Sequence, residues 1–248
     1  MPPETAAKKD YSNLYTPAAI VIAGVVIGAG LMFGLRGVGT AAPATSGTTP
    51  TQAVNIKDVK TAGEPVLGQA NAPVTLAFWS DYQCPFCKAV EVGGVSGIPG
   101  TAALPDVIKE YVDTGKVKII FKDFAFLGND SITGAEYARA VWHLYPDQYF
   151  AWRTAMYVAQ DAEGDTGFGN AATIDALIKA QFPKMSDSAI QSDVTANKSA
   201  YDAAIQADEA EGQSFGIQGT PGFITGTTEI DGAQPLSAFQ AAIDPQLK

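Results

Sequence analysis

Cys84-Pro85-Phe86-Cys87 stands three residues after the apolar run Val74–Ser80 and opens a stretch with helical character, and this placement constrains the chain more than any other feature. The run Val74-Thr75-Leu76-Ala77-Phe78-Trp79-Ser80 follows Pro73 and reads as a buried strand. Pro85 suits the first helical position, because its missing N–H would have no partner there. Cys84 then occupies the helix cap, where the free N–H groups of the first turn and the positive helix end stabilise a thiolate. It is expected to face solvent with a lowered pKa. Cys87, one turn later, points back into the domain and is shielded. A disulfide between the two closes within one turn and exchanges readily. Phe86 offers no charge or donor, so Cys84 is expected to be less acidic than a histidine there would make it. An inert staple around so short a loop would remove little chain entropy. A zinc site would lack two ligands. Dithiol redox chemistry is the favoured reading, with Cys84 as nucleophile and Cys87 as resolving thiol.

Composition narrows the alternatives. The chain has 248 residues, one His and two Cys. A multi-histidine or Cys-rich metal site cannot be built from that set, so no metal is expected. No Gly-x-Ser-x-Gly elbow accompanies the single histidine, His143. The net charge is −10, and the part after Arg36 carries 13 basic against 24 acidic residues. Such a surface repels phosphate backbones, which excludes nucleic acid as a partner.

Residues 1–13 carry Lys8 and Lys9 and read as a cytoplasmic tail. Residues 14–35, Leu14 to Leu35, contain no charged side chain and would span roughly 33 Å as a helix, enough to cross a bilayer. They read as an uncleaved transmembrane signal anchor; the rival is a cleaved signal peptide with a site near Ala42-Pro43-Ala44, but the apolar run is longer than a usual signal core. Residues 36–54 are rich in Gly, Ala, Thr, Ser and Pro and read as a flexible linker. Either reading of the apolar run places the remainder, 55–248, outside the cytoplasm, as a single-pass membrane protein or a secreted form. Within it the pattern predicts a strand over Val74–Ser80, a helix over Leu104–Asp113 and a strand over Val117–Lys122. An Ala-rich helical block follows from about 131 to 210, then a hairpin over Gly222–Asp231 and a closing helix over Leu236–Ile243. A central sheet covered by helices, with the helical block inserted between its halves, is the natural α/β architecture.

Ala72-Pro73-Val74, Ser80-Asp81-Tyr82-Gln83-Cys84-Pro85-Phe86-Cys87 and Gly219-Thr220-Pro221-Gly222-Phe223 together resemble the DsbA-like thiol–disulfide oxidoreductases. The resemblance runs from about Asn55 to Lys248. It implies a thioredoxin-like fold with a helical insertion, preceded here by the N-terminal transmembrane helix. It implies a redox-active Cys84–Cys87 disulfide with no separate cofactor, and an active-site motif that includes Pro85 and Phe86. It implies a cis Thr220–Pro221 bond beside the cysteines, with Thr220 and Pro221 contacting substrate. Exported client proteins bearing thiols or disulfides are the implied substrates, and a quinone-linked membrane protein of the DsbB or VKOR type is the implied redox partner. Relatives often carry a buried Glu on the strand before the motif; the matching position here is Phe78, which leaves proton handling at Cys87 to another group or to water.

An oxidase that introduces disulfides into exported proteins is the leading expectation, since disulfides persist outside the cytosol. A reductase or isomerase using the same cysteines and a non-catalytic binding module on this scaffold are the alternatives. Tyr149, Phe150, Trp152, Met156 and Tyr157 form an aromatic stripe at helical spacing and are expected in the core. His143 is expected on the helical block without a role. Asp202, Asp208, Glu209 and Glu211 are expected on a solvated helix face.

Overall fold

The computed structural model describes residues 54–98, 102–161 and 167–248. The tail, the anchor over 14–35 and the linker up to residue 53 lie outside the described residues. Among the described residues no helix is long and apolar enough to cross a membrane.

The sheet is built on β2 (Val74–Ser80), whose residues are buried at every position but Thr75. A strand covered on both faces reads as a continuous apolar run, which is why its limits coincide with those expected. β2 pairs in parallel with β3 (Val117–Asp123) from Val74↔Val117 to Ser80↔Asp123, and antiparallel with β4 (Gly222–Thr225). β4 turns into β5 (Thr228–Asp231) as the expected hairpin. A two-residue strand, β1 (Val66–Leu67), completes the order β1-β3-β2-β4-β5; it is too short to leave a periodic signal in the sequence.

Alternation along the strands feeds two cores. Leu76, Phe78, Ile119, Phe121 and Phe223 point to the side carrying α1 (Pro85–Glu91), α2 (Ala103–Val107) and the closing α7 (Leu236–Ile243). Ala77, Trp79 and Ile224 point to the other side, against Phe124, Phe215 and Ile217. The helix expected over 104–113 is α-helical only through Val107 and continues as a wider π turn over Ile108–Val112.

The inserted block comprises α3 (Asn129–Leu144), α4 (Tyr149–Ala159), α5 (Ala171–Gln181) and α6 (Asp187–Phe215). Asn170 and Ser186 cap α5 and α6 with side-chain oxygens that accept from Thr173 and Ala189 N–H. α6 ends at Gly216, whose φ of 102° is the left-handed geometry glycine tolerates.

The expectation of a solvated acidic face on α6 is corrected for Asp208 and Glu211. Both are buried, and Lys122 on β3 lies between them, its Nζ 2.5 Å from Asp208 and 3.1 Å from Glu211. Glu64 and the Arg139–Asp123 pair complete the cluster. Opposite charges from β3 and α3 drew these carboxylates inward, which no pattern within α6 could reveal. The stripe on α4 is core as expected: Tyr149, Trp152, Met156 and Tyr157 are buried and Phe150 is partly so.

Candidate active site

The parallel β2 delivers the chain to the carboxyl end of the sheet, and three residues turn it into α1. Asp81 holds that turn. Its buried carboxylate accepts from the N–H groups of Gln83 at 2.8 Å, Phe126 at 3.0 Å and Leu127 at 3.2 Å. Burial nevertheless pushes the Asp81 pKa up. Cys84 takes the helix cap in an extended conformation (φ −76°, ψ 120°), Pro85 follows inside the first turn, and Cys87 sits one turn further in. Both cysteines are present as thiols.

Cys84 was expected to face solvent; only 4 % of it is exposed. The reason is that other elements close over it. Its Sγ lies 3.2 Å from the Thr220 carbonyl oxygen, and the residue packs into the apolar cluster of the inserted block. Burial alone would raise its pKa, but it is lowered to about 7. The largest cause is the hydrogen bond from the Cys87 thiol, helped by the Thr220 side chain and by the N–H groups of Cys87 and Phe86. Cys87 is fully buried, and that burial, with its hydrogen bond to Cys84 and the charge there, pushes its thiol well up. The two sulfurs therefore differ as the cap position requires: the outer one is ready to ionise at neutral pH and the inner one holds its proton.

The Thr220–Pro221 peptide bond is cis. The Thr220 side chain is turned toward the dithiol and lowers the pKa of both sulfurs. Gly222 is required next to this bend, since a Cβ there would come within 2.7 Å of the Ile217 side chain. Phe86 is half exposed beside the cap. Phe78 is fully buried and stacks on Phe223 at 4.3 Å between ring centroids.

Cys84, Pro85, Phe86, Cys87, Thr220 and Pro221 thus come together. His143 does not join them; it is exposed on α3 and pairs with Asp193 at 3.0 Å. Arg153, Glu91 and Gln160 crowd around the same motif, and sequence reasoning missed all three. Arg153 and Gln160 lie in or next to the aromatic stripe of α4, where local spacing signals only core. Among the described residues no group of three or more His, Cys, Asp or Glu is arranged to hold a metal ion.

A dithiol split into an ionisable outer sulfur and a protonated inner one, set against a cis-proline at the end of this sheet, has the means to exchange disulfides with other thiols. Fold and site together define a thiol–disulfide oxidoreductase of the DsbA type. The family model described as thioredoxin matches residues 60–245, and the chain belongs to that family. It is 26 % identical over 184 residues to a probable disulfide bond formation protein D of Bacillus anthracis, covering 73 % of this chain and 77 % of that one. It is 26 % identical over 191 residues to the disulfide bond formation protein D of Bacillus subtilis, covering 75 % and 78 %. Among solved structures, oxidised BdbD of Bacillus subtilis superposes with a TM-score of 0.64 at 24 % identity, over 76 % of this chain and 95 % of that one. The thiol-disulfide exchange protein alpha-DsbA2 of Wolbachia pipientis gives 0.60 at 24 % identity, over 74 % and 87 %.

Proposed function

We propose that this protein is a membrane-tethered oxidase that introduces disulfides into exported proteins, with Cys84 as nucleophile and Cys87 as resolving thiol. The observation that carries the reading is the placement of Cys84 at the cap of the helix that holds Cys87, with its sulfur 3.2 Å from the Thr220 carbonyl oxygen beside the cis Thr220–Pro221 bond. The names of the Bacillus relatives, disulfide bond formation proteins, agree with it.

In the oxidised state a client thiolate attacks Cys84 Sγ, the Cys84–Cys87 bond breaks, and Cys87 leaves with the electron pair and takes up a proton. A second client thiolate then attacks the client sulfur of the mixed disulfide and expels Cys84 as a thiolate. The client gains one disulfide and loses two electrons; the protein ends as the dithiol. The helix end and the Thr220 hydroxyl favour this second step by stabilising the departing Cys84 anion. Thr220 and Pro221 form the wall against which an extended client segment lies. A quinone-linked membrane protein of the DsbB or VKOR type returns the dithiol to the disulfide.

In this reading residues 1–13 are cytoplasmic, 14–35 anchor the chain, 36–54 tether it, and 55–248 work outside the membrane. Trapping tests the assignment of the two cysteines. Cys87→Ser is expected to accumulate client mixed disulfides through Cys84, visible as reducible adducts on a non-reducing gel, while Cys84→Ser accumulates none. Equal trapping by the two variants would overturn the roles.

A further inference from the structure

The redox motif is gripped from outside its own element by two side chains of the inserted helical block. Arg153, on α4, is fully enclosed. Its Nε donates to Glu91 Oε1 at 2.8 Å and its Nη2 lies 2.6 Å from the same oxygen. Its Nη1 donates to the Tyr82 hydroxyl at 3.2 Å, and Nη2 also donates to Ser80 Oγ at 2.9 Å. Ser80 and Tyr82 flank the turn into the motif, and Glu91 is the last residue of α1. One guanidinium therefore ties the entry of the Cys84-to-Cys87 helix to its exit. The rings of Phe78, Tyr82, Phe121 and Tyr157 surround it at 4.6 to 5.3 Å, so its position is set by packing as well as by hydrogen bonds.

Gln160, immediately after α4, holds the other side. Its Nε2 donates to the Tyr82 carbonyl at 2.7 Å and to the carbonyl of Cys84 itself at 3.1 Å. Its own backbone carbonyl accepts from Lys88 Nζ at 2.6 Å, one turn into α1. Both contacts of Nε2 are to carbonyl oxygens, which settles the orientation of the amide.

We infer that Arg153 and Gln160 are positioning residues for the dithiol: they hold the Cys84 cap in the orientation that aims the Phe86 and Cys87 N–H groups and the Cys87 thiol at the Cys84 sulfur. Arg153 is paired with Glu91, so the buried charges cancel and the effect on the cysteine is geometric. α1 is seven residues long, too short to hold its own first turn rigid without outside support. The inserted block supplies that support. A lysine at 153 keeps the charge but lacks the fork that reaches Ser80, Tyr82 and Glu91 at once.

The inference rests on Cys84 being the nucleophile, and the test separates the two ideas. The chain has only two cysteines, so alkylation of the reduced full-length protein in detergent reads the dithiol directly. Rates are measured against pH for the parent, Arg153→Lys and Gln160→Met, with near-ultraviolet circular dichroism and thermal midpoints recorded beside them. Each variant is expected to lose at least about threefold in alkylation rate at pH 6.5, the equivalent of about half a pKa unit upward. Folded variants that titrate like the parent, whatever their thermal midpoints, would overturn the inference. If Arg153→Lys does not fold, Gln160→Met decides alone, because it keeps the side-chain length and leaves the Arg153 contacts in place. A parent Cys84 that titrates like free cysteine would instead sink the catalytic assignment.

Discussion

At the scale of single residues, the chemistry comes down to how far Cys84 is shifted and by what. Its pKa of about 7 against an ordinary value near 9 predicts a sigmoidal alkylation profile with its midpoint near pH 7. The same shift links pH to the stability of the reduced protein. A folded-state pKa below the unfolded one means the native thiolate adds stability that is fully present above the unfolded value. That stability is lost as pH falls through 7. The reduced parent is therefore expected to gain stability between pH 6 and 9 relative to Cys84→Ser, measured by urea unfolding at several pH values; parallel curves would contradict the assignment. Phe86 provides a second handle. It is half exposed at the cap and donates nothing. Phe86→His places a cation within the first turn when protonated and is expected to lower the Cys84 midpoint below the parent's and to raise the reduction potential. Alkylation against pH and equilibration with a glutathione buffer measure the two effects.

At the scale of elements, α6 depends on partners far away in sequence. Lys122 is buried on β3 beside Glu64, Asp208 and Glu211, and it also donates to the Lys60 carbonyl at 3.1 Å. Burial and the neighbouring Asp208 charge push Glu64 up, against the pull of Arg139 and Lys122. Lys122→Met would leave Asp208 buried with only Arg139 as its cation and Glu211 with the Lys60 N–H in place of one. It is expected to cost about 3–5 kcal/mol, because one partner of a buried ion pair is removed and the carboxylates stay behind; thermal or urea unfolding against the parent checks the size. This cluster also marks what could be read beforehand. β2, the β4–β5 hairpin and α7 were legible because their apolar patterns and turn residues are local. The Cys84 motif was legible from its own spacing after a strand, and Thr220–Pro221 only through the family resemblance, since a Thr-Pro pair by itself reads as an ordinary trans turn. The depth of Asp208 and Glu211 was not, because Lys122 and Arg139 stand on other elements and charge pairing across the fold leaves no spacing rule. Arg153 stayed hidden for a related reason: a lone cation in an aromatic stripe looks like a helix residue reaching for solvent until Glu91 and Ser80 are seen beneath it.

At the scale of the whole molecule, the reduction potential sets the direction in which electrons flow. A dithiol is a stronger oxidant the more its reduced form is stabilised, and a thiolate near 7 is stabilised far less than one near 3.5, the value at the strongly oxidising DsbA extreme. The potential is therefore expected between the thioredoxin value of about −270 mV and the DsbA value of about −120 mV. That mildness is compatible with an oxidase. Structural disulfides of exported proteins sit below about −300 mV, so even a couple near −250 mV passes its disulfide to clients downhill, provided a partner keeps it oxidised. The proposed tether would serve this arrangement, because re-oxidation by the proposed integral membrane partner would become a local event at raised effective concentration. Equilibrating the full chain with defined glutathione ratios and counting free thiols gives the potential. A value at the thioredoxin end, about −270 mV or below, would count against the oxidase and turn the assignment to a reductase, whereas a value nearer about −120 mV supports the oxidase.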